Sequence, residues 1–312
     1  MTDFAFVFPG QGSQAVGMLD AWGEHPAVRA TLEEASSALG ADVGKLIHSG
    51  PKERLDLTVN TQIVMLVAAV ACWRAWRAEG GATPAALAGH SLGEYSALVA
   101  AEALTLTDAV LLVRHRAQAM QDAVPVGAGD MVAVLGLDGA LVAKICAQAA
   151  ADSGHVVVAA NFNDPRQTVI SGSSAGVEMA SLAMMSAGAK RLLPLSVSAP
   201  FHSPLMRPAA ERLRERLVTV QIRPPKLPVI NNIDVAAESD PERIRDALVR
   251  QAYGPVRWVE VVLALQARKL GVILECGPGK VLSKIVSRID PTLQTAAVFD
   301  PASLAAAREL LA

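Results

Sequence analysis

The chain has 312 residues, 52% of them apolar, which suffices to bury a large core and suits one large domain or one domain carrying an insertion. Lys and Arg total 28 against 30 Asp and Glu, so no global field favours nucleic acid, and an acidic partner would have to find a local basic patch. Three widely spaced cysteines, Cys72, Cys146 and Cys276, sit in apolar segments; they suggest neither a disulfide framework nor a zinc site and read as buried and reduced.

The chain opens on Met1-Thr2-Asp3 without a basic region, and its longest apolar run, 63–73, is too short to span a bilayer. A cytoplasmic protein without membrane attachment is therefore expected. Residues 4–8 read as a buried strand that ends in Pro9-Gly10-Gln11-Gly12, and helical stretches follow at 27–39 and 60–79. A short apolar strand over 85–88 runs into Gly89-His90-Ser91-Leu92-Gly93, and helix formers continue over 92–101. Gly-x-Ser-x-Gly between a strand and a helix is the spacing of a nucleophile elbow, in which the glycines remove side chains that would collide and the serine Oγ is presented at the sheet's edge. Ser91 is thus the candidate nucleophile, against the plainer reading of a serine in a glycine turn. A helix then opens at Thr107 and Asp108, continues to about 124, and is broken by Pro125-Val126-Gly127-Ala128-Gly129.

From there the pattern is strand 131–135, helix 139–150, strand 156–161, strand 168–172, helix 175–187 and strand 191–195. That is βαββαβ, the ferredoxin-like order. The larger pattern resumes afterwards with strands at 228–231, 272–275 and 295–299 and helices at 204–218 and 256–269. The expected fold is α/β, an α/β-hydrolase-like parallel-sheet domain (1–127 and 198–312) with an inserted ferredoxin-like subdomain (128–197).

A serine nucleophile needs a base. Of six histidines, His202 lies in a proline-bracketed loop, Ser198-Ala199-Pro200-Phe201-His202-Ser203-Pro204, at the return from the insertion. His115 falls within a helix, and His90, beside the serine, is better placed to support the elbow than to deprotonate it. A lone histidine is usually structural, and its pairing with an elbow serine is what singles out His202. On the 107–124 helix Val110, Val113, Ala117 and Met120 form the apolar stripe, with Arg116 at its edge. A surface arginine snorkelling from the helix is the plain reading there. Gly10-Gln11-Gly12 and Gly277-Pro278-Gly279-Lys280 both lack the spacing of a phosphate loop.

The residue order argues against a standard α/β-hydrolase, whose histidine comes near the C-terminus. Taken together, Phe8-Pro9-Gly10-Gln11-Gly12-Ser13-Gln14, Gly89-His90-Ser91-Leu92-Gly93-Glu94-Tyr95, Arg116-Ala117-Gln118-Ala119-Met120-Gln121, Asn161-Phe162-Asn163, Phe201-His202-Ser203 and Gly277-Pro278-Gly279-Lys280 closely resemble the malonyl-CoA:acyl carrier protein transacylase family nearly end to end. The resemblance implies ping-pong transfer of malonyl from CoA to the phosphopantetheine thiol of acyl carrier protein, with Ser91 as nucleophile and His202 as base. It also implies a main-chain carbonyl and an amide residue, matched here by Gln251, orienting the histidine. Backbone N–H groups of Leu92 and Gln11 would form the oxyanion hole, and Arg116 would hold the malonyl carboxylate. Met120, Asn161 and Phe201 would line the substrate pocket, Phe201 crowding an α-methyl. No cofactor or metal is implied beyond the substrates. For an acidic carrier protein, Lys190 and Arg191 are the candidate contact, with Lys284 and Arg288 behind them. A monomer is expected. The competing readings are a carrier-loading subunit of a malonate decarboxylase complex, a serine hydrolase or thioesterase, and a non-catalytic scaffold.

Overall fold

The elements run β1 (Phe4–Phe8), α1 (Pro26–Leu39), α2 (Val43–Ser49), α3 (Lys52–Leu55), α4 (Thr58–Ala78), β2 (Ala86–Gly89), α5 (Gly93–Ala100) and α6 (Leu106–Asp122). Next come β3 (Gly129–Leu135), α7 (Gly139–Ser153), β4 (Val157–Asp164), β5 (Gln167–Ser173), α8 (Ser174–Ser186) and β6 (Arg191–Pro194). The chain closes with α9 (Arg207–Val218), β7 (Val229–Ile230), α10 (Pro241–Tyr253), α11 (Trp258–Ala267), β8 (Val272–Cys276), α12 (Val281–Ile289), β9 (Gln294–Val298) and α13 (Pro301–Leu311). This computed structural model describes residues 3–125, 127–197 and 199–312; the predicted return point at Ser198, with Met1, Thr2 and Val126, lies outside the described residues.

Five strands form a parallel sheet in the order β7-β2-β1-β8-β9. The pleat of β1 sends Phe4, Phe6 and Phe8 to one face and Ala5 and Val7 to the other, and each set joins a different apolar cluster. On the first face the phenyl rings meet Trp73 and Trp76 of α4 at centroid distances of 5.2 to 6.5 Å. On the second, Trp258, Val261 and Val262 of α11 and Ile285 and Val286 of α12 cover the sheet. Helix α4 outlasts the 63–73 apolar run at both ends. By length and composition it could cross a membrane, yet 83% of its most apolar window is buried inside the protein. It is the central core helix.

The second sheet has the order β4-β5-β3-β6, all antiparallel, which is the ferredoxin-like arrangement expected from the strand-helix alternation. Val132, Val134 and Ile170 on one face build a separate core with Val142 and Cys146 of α7 and Val177 of α8. Met131, Ala133 and Val169 on the other face join the main core. The two sheets are tied where Phe162 N–H donates to the Val256 carbonyl at 2.9 Å and Val256 N–H to that of Ala160 at 2.8 Å. The three cysteines are free and buried, and burial pushes Cys72 and Cys146 up to about 12.

Two predicted boundaries move for identifiable reasons. The helix expected over 204–218 is a 3-10 turn, Pro204–Met206, followed by α9, because Pro208 is tolerated only in a helix's first turn. Helix α6 is capped by Thr105, not Thr107: the Thr105 Oγ1 accepts from Asp108 N–H at 3.0 Å, closing the N-cap to N3 spacing.

Candidate active site

Parallel pairing of β1 with β2 sets Phe8 opposite Gly89, so the chain leaves both strands side by side and the elbow forms at the carboxyl edge of the sheet. The elbow tolerates no side chain at either flanking glycine. A Cβ on Gly89 would stand 1.9 Å from the Gly93 carbonyl carbon, and one on Gly93 would stand 2.0 Å from the Phe8 oxygen. Ser91 itself adopts φ 52°, a strained value for a residue with a side chain, and His202 adopts φ 59°.

Ser91 Oγ lies 2.7 Å from His202 Nε2. On the far side of the ring, Nδ1 lies 2.9 Å from the Gln251 carbonyl oxygen and 3.2 Å from that of Gly254. Carbonyls only accept, so Nδ1 carries the proton and Nε2 presents its lone pair to the serine. Burial, aided by the nearby Arg116 cation, pulls His202 down to about 3, so the ring is neutral and its Nε2 lone pair is free to accept. It is the main-chain carbonyl of Gln251, not the side-chain amide expected to share in orienting the ring, that meets Nδ1. Its side chain turns the other way: Nε2 donates to the Ser91 carbonyl (3.1 Å) and to Glu94 (2.9 Å), and Oε1 accepts from Arg116 at 3.3 Å.

Arg116 is 2% exposed and reaches the serine. Its Nη1 donates to Gln62 Oε1 at 2.6 Å, its Nη2 makes only the long contacts to Gln251 and to Ser91 Oγ (3.4 Å), and its buried Nε has no partner. Tyr95 lies under the guanidinium at 5.4 Å. The Nε–Nη2 edge, which suits a bidentate carboxylate, is therefore buried and less firmly held than Nη1. Gln62 Nε2 touches Met120 Sδ at 3.9 Å, which places Met120 beside the arginine. Leu92 follows the serine and is buried. The Gln11 loop lies against the elbow, since a Cβ on Gly10 would stand 2.7 Å from the His90 oxygen. Phe201 is buried next to His202. Asn161 sits on β4 at the bridge to Val256, with its Oδ1 buried and unpaired. Its neighbour Asn163, not Asn161, meets the elbow, at 2.8 Å from His90 Nε2. His90 packs on Trp258 and supports the turn, as expected.

Three further residues complete the site. Glu94 is buried, accepts from Asn232 N–H and Gln251 Nε2, both at 2.9 Å, and is raised by burial to about 7. Asn232 and Gln62 are the others. Glu94 stands in the elbow motif itself, and a Gln at the head of a long apolar run was the available signal for Gln62, since a buried amide must find partners. The basic candidates lie elsewhere. Lys190 lines a surface cleft of about 460 Å³ with Arg166, Asp164 and Arg288, whose Nε donates to Asp164 at 2.6 Å. Arg191 is exposed on β6, and Lys284 lines a separate hollow. Among the described residues no cluster could hold a metal ion.

A strained serine hydrogen-bonded to a tautomer-fixed histidine, at the carboxyl edge of a parallel sheet, with a buried guanidinium beside them, defines an acyl-transferring serine enzyme. The family model of the acyl transferase domain matches residues 5–305. The malonyl CoA-acyl carrier protein transacylases of Escherichia coli K12 and Bacillus subtilis are 50% and 43% identical, over 99% and 100% of this chain and 100% and 98% of their own lengths. The acyl-carrier-protein S-malonyltransferase of Burkholderia pseudomallei superposes with a TM-score of 0.96 at 59% identity, covering 98% of this chain and 99% of its own. A malonyl-transacylase solved with its type II polyketide synthase carrier protein superposes equally well at 47% identity, covering 99% of this chain and all of its own. The chain belongs to the acyl transferase domain family and, within it, to the malonyl-CoA:acyl carrier protein transacylases.

Proposed function

We propose that this chain transfers malonyl from malonyl-CoA to acyl carrier protein through a malonyl-Ser91 ester. The observation that carries the proposal is the meeting of Ser91 Oγ, neutral His202 Nε2 and the buried Arg116 guanidinium, with its unpaired Nε, in one place. Ser91 Oγ attacks the thioester carbonyl carbon while Nε2 takes its proton. Collapse breaks the C–S bond, and the imidazolium protonates the departing CoA sulfur. The phosphopantetheine thiol then gives its proton to Nε2, its sulfur attacks the ester, the C–O bond breaks, and Ser91 recovers the proton. These steps balance between Ser91 and His202 alone, so the scheme uses no cofactor or metal.

The Leu92 and Gln11 N–H groups are the proposed oxyanion donors, each accounting for about 3 to 4 kcal/mol of transition-state stabilisation. Two carbonyls stabilise the transient imidazolium less than a carboxylate would, which suffices for an already activated thioester. The Arg116 edge takes the malonyl carboxylate, and Phe201 crowds an α-methyl. We assign the carrier-protein contact to Lys190 and Arg191, with Arg166 and Arg288 at the same cleft, and read the enzyme as a cytoplasmic monomer serving fatty acid synthesis.

Intact-protein mass spectrometry after brief exposure to malonyl-CoA tests the scheme. A malonyl adduct on the wild type, absent from Ser91→Ala and discharged by phosphopantetheinylated carrier protein, is the expected result. CoA release without an adduct, or an adduct that only water discharges, would refute it.

A further inference from the structure

We infer that Asn232 is a positioning residue for the nucleophile, a role that rests on the acyl-transfer reading above. Sheet order places it: β7 lies beside β2 with Ile230 opposite Ala88, so the chain two residues on falls next to the elbow. Asn232 is fully buried and its amide is used on both sides. Oδ1 accepts the Ser91 N–H at 2.7 Å, and Nδ2 donates to the Gly89 carbonyl at 2.7 Å. One side chain therefore bridges the two backbone groups that flank His90.

The amide is itself fixed by its main chain. Its N–H donates to Glu94 Oε2 at 2.9 Å, and its carbonyl accepts from Arg257 N–H at 3.3 Å. Three consequences follow for the reaction. The bridge holds Ser91 at its positive φ, aiming Oγ at His202. It occupies the Ser91 N–H, leaving the N–H of Leu92 as the elbow's donor to an oxyanion. Through Glu94, which also accepts from Gln251 Nε2, it joins the nucleophile to the residue whose carbonyl orients the base. Only a group that both donates and accepts at these two atoms can do this. A protonated Asp carboxyl can, through its C=O and O–H, whereas an ionised one cannot donate to Gly89.

The test uses full-length Asn232→Ala and Asn232→Asp beside the wild type. Measured are the single-turnover rate of malonyl-Ser91 formation from pH 5 to 9, the KM for malonyl-CoA, the rate of Ser91 labelling by a fluorophosphonate, and the melting temperature. Asn232→Ala should acylate about 100-fold more slowly with KM nearly unchanged, and fluorophosphonate labelling should fall in step, because a misaimed nucleophile is slow toward any electrophile. Asn232→Asp should approach wild-type rates at low pH and lose them at least about 10-fold as its carboxyl ionises. The titratable and charged groups linked to this position are Glu94 on α5, which accepts the residue's N–H, Arg116 on α6 and Asp234, which act on Glu94, Arg257, whose N–H meets the residue's carbonyl, and the histidines His90 and His202 at the elbow. They are common to both proteins, so the ratio of rates isolates the new group.

Wild-type acylation rates in Asn232→Ala, a pH-independent Asn232→Asp ratio, or losses no greater than in an equally destabilised Val229→Ala control would each overturn the inference. Failure of the wild type to form any adduct would instead remove the acyl-transfer reading on which it rests.

Discussion

Substitution of Arg116 by Ala separates recognition of the malonyl carboxylate from the acyl chemistry. In the proposed role the unpaired Nε and weakly held Nη2 would give the malonyl carboxylate charge-assisted hydrogen bonds, and such an interaction contributes about 1.5 to 3 kcal/mol. Its loss should lower malonyl-CoA kcat/KM by roughly 10- to 150-fold. Acetyl-CoA has no carboxylate, leaves the same edge unpaired, and loses no contact when the arginine goes. Removing Arg116 also leaves Gln62 Oε1 and Gln251 Oε1 without their donor, a destabilisation of about 1 to 3 kcal/mol that affects both substrates alike. The malonyl-to-acetyl ratio of kcat/KM is therefore the clean readout, measured by CoA release coupled to carrier-protein loading. Arg116→Lys, which keeps the charge but not the fork, should give an intermediate ratio. The arginine is, after burial, the next cause of the low pKa of His202, so the variant's acid limb should also move up toward the ordinary histidine value. Equal losses for both acyl groups would refute the reasoning.

With His202 held at about 3, the base stays neutral, and wild-type acylation should run flat from pH 8 down to pH 5; a decline centred near 6.5 would show an ordinary histidine. Burial raises Glu94 from 4.5 to about 7, so its neutral form favours the fold at low pH, and that contribution is lost as pH rises from 4.5 through 7. Glu94→Gln removes it, and the stability of the variant relative to wild type should rise by about 3 kcal/mol between pH 4.5 and 8 in urea melts; a pH-independent difference would contradict this. His202 acts oppositely, binding a proton in the unfolded chain between about 3 and 6.5, but does so in both proteins and cancels. Lys190→Glu with Arg191→Glu should raise the KM for carrier protein several-fold while leaving malonyl-Ser91 formation intact; unchanged carrier kinetics would move the docking surface elsewhere.

Much of this architecture is legible along the chain, because fully buried strands such as β1 and β8 read as short apolar runs and the small subdomain announces itself by its alternation of strand and helix. Two of the helices outside the reading, α10 and α13, carry clear signals, an Asp cap followed by proline at Asp240-Pro241 and Asp300-Pro301. The Thr105 cap was equally visible as a Thr three residues before Asp108. The elbow was legible for a different reason: its spacing is a local backbone pattern, in which Gly89 answers to Gly93 within the same turn, although Gly93 answers to Phe8 on the neighbouring strand.

Asn232 shows where that kind of reading ends. Its partner Ser91 is 141 residues away, and nothing in the local pattern of β7 states that the strand lies beside β2. Hydrophobic periodicity reports which face of an element is buried, not which elements are neighbours, so polar contacts made across sheet order are invisible until the order is known. The same limit applies to Gln251, which was expected as an amide residue orienting the histidine beside a main-chain carbonyl. Which group of a buried glutamine faces a histidine depends on the approach of α10 to the elbow, and here Glu94 and the Ser91 carbonyl capture the side chain and leave the main chain to hold the ring. Ser91 and His202 are consequently suspended from one connected set of buried hydrogen bonds in which, among the described residues, Glu94 is the only carboxylate. Perturbation at Glu94, Asn232 or Gln251 should therefore be non-additive in double-variant cycles, whereas each combined with Lys190→Glu, at the surface cleft outside this set, should add.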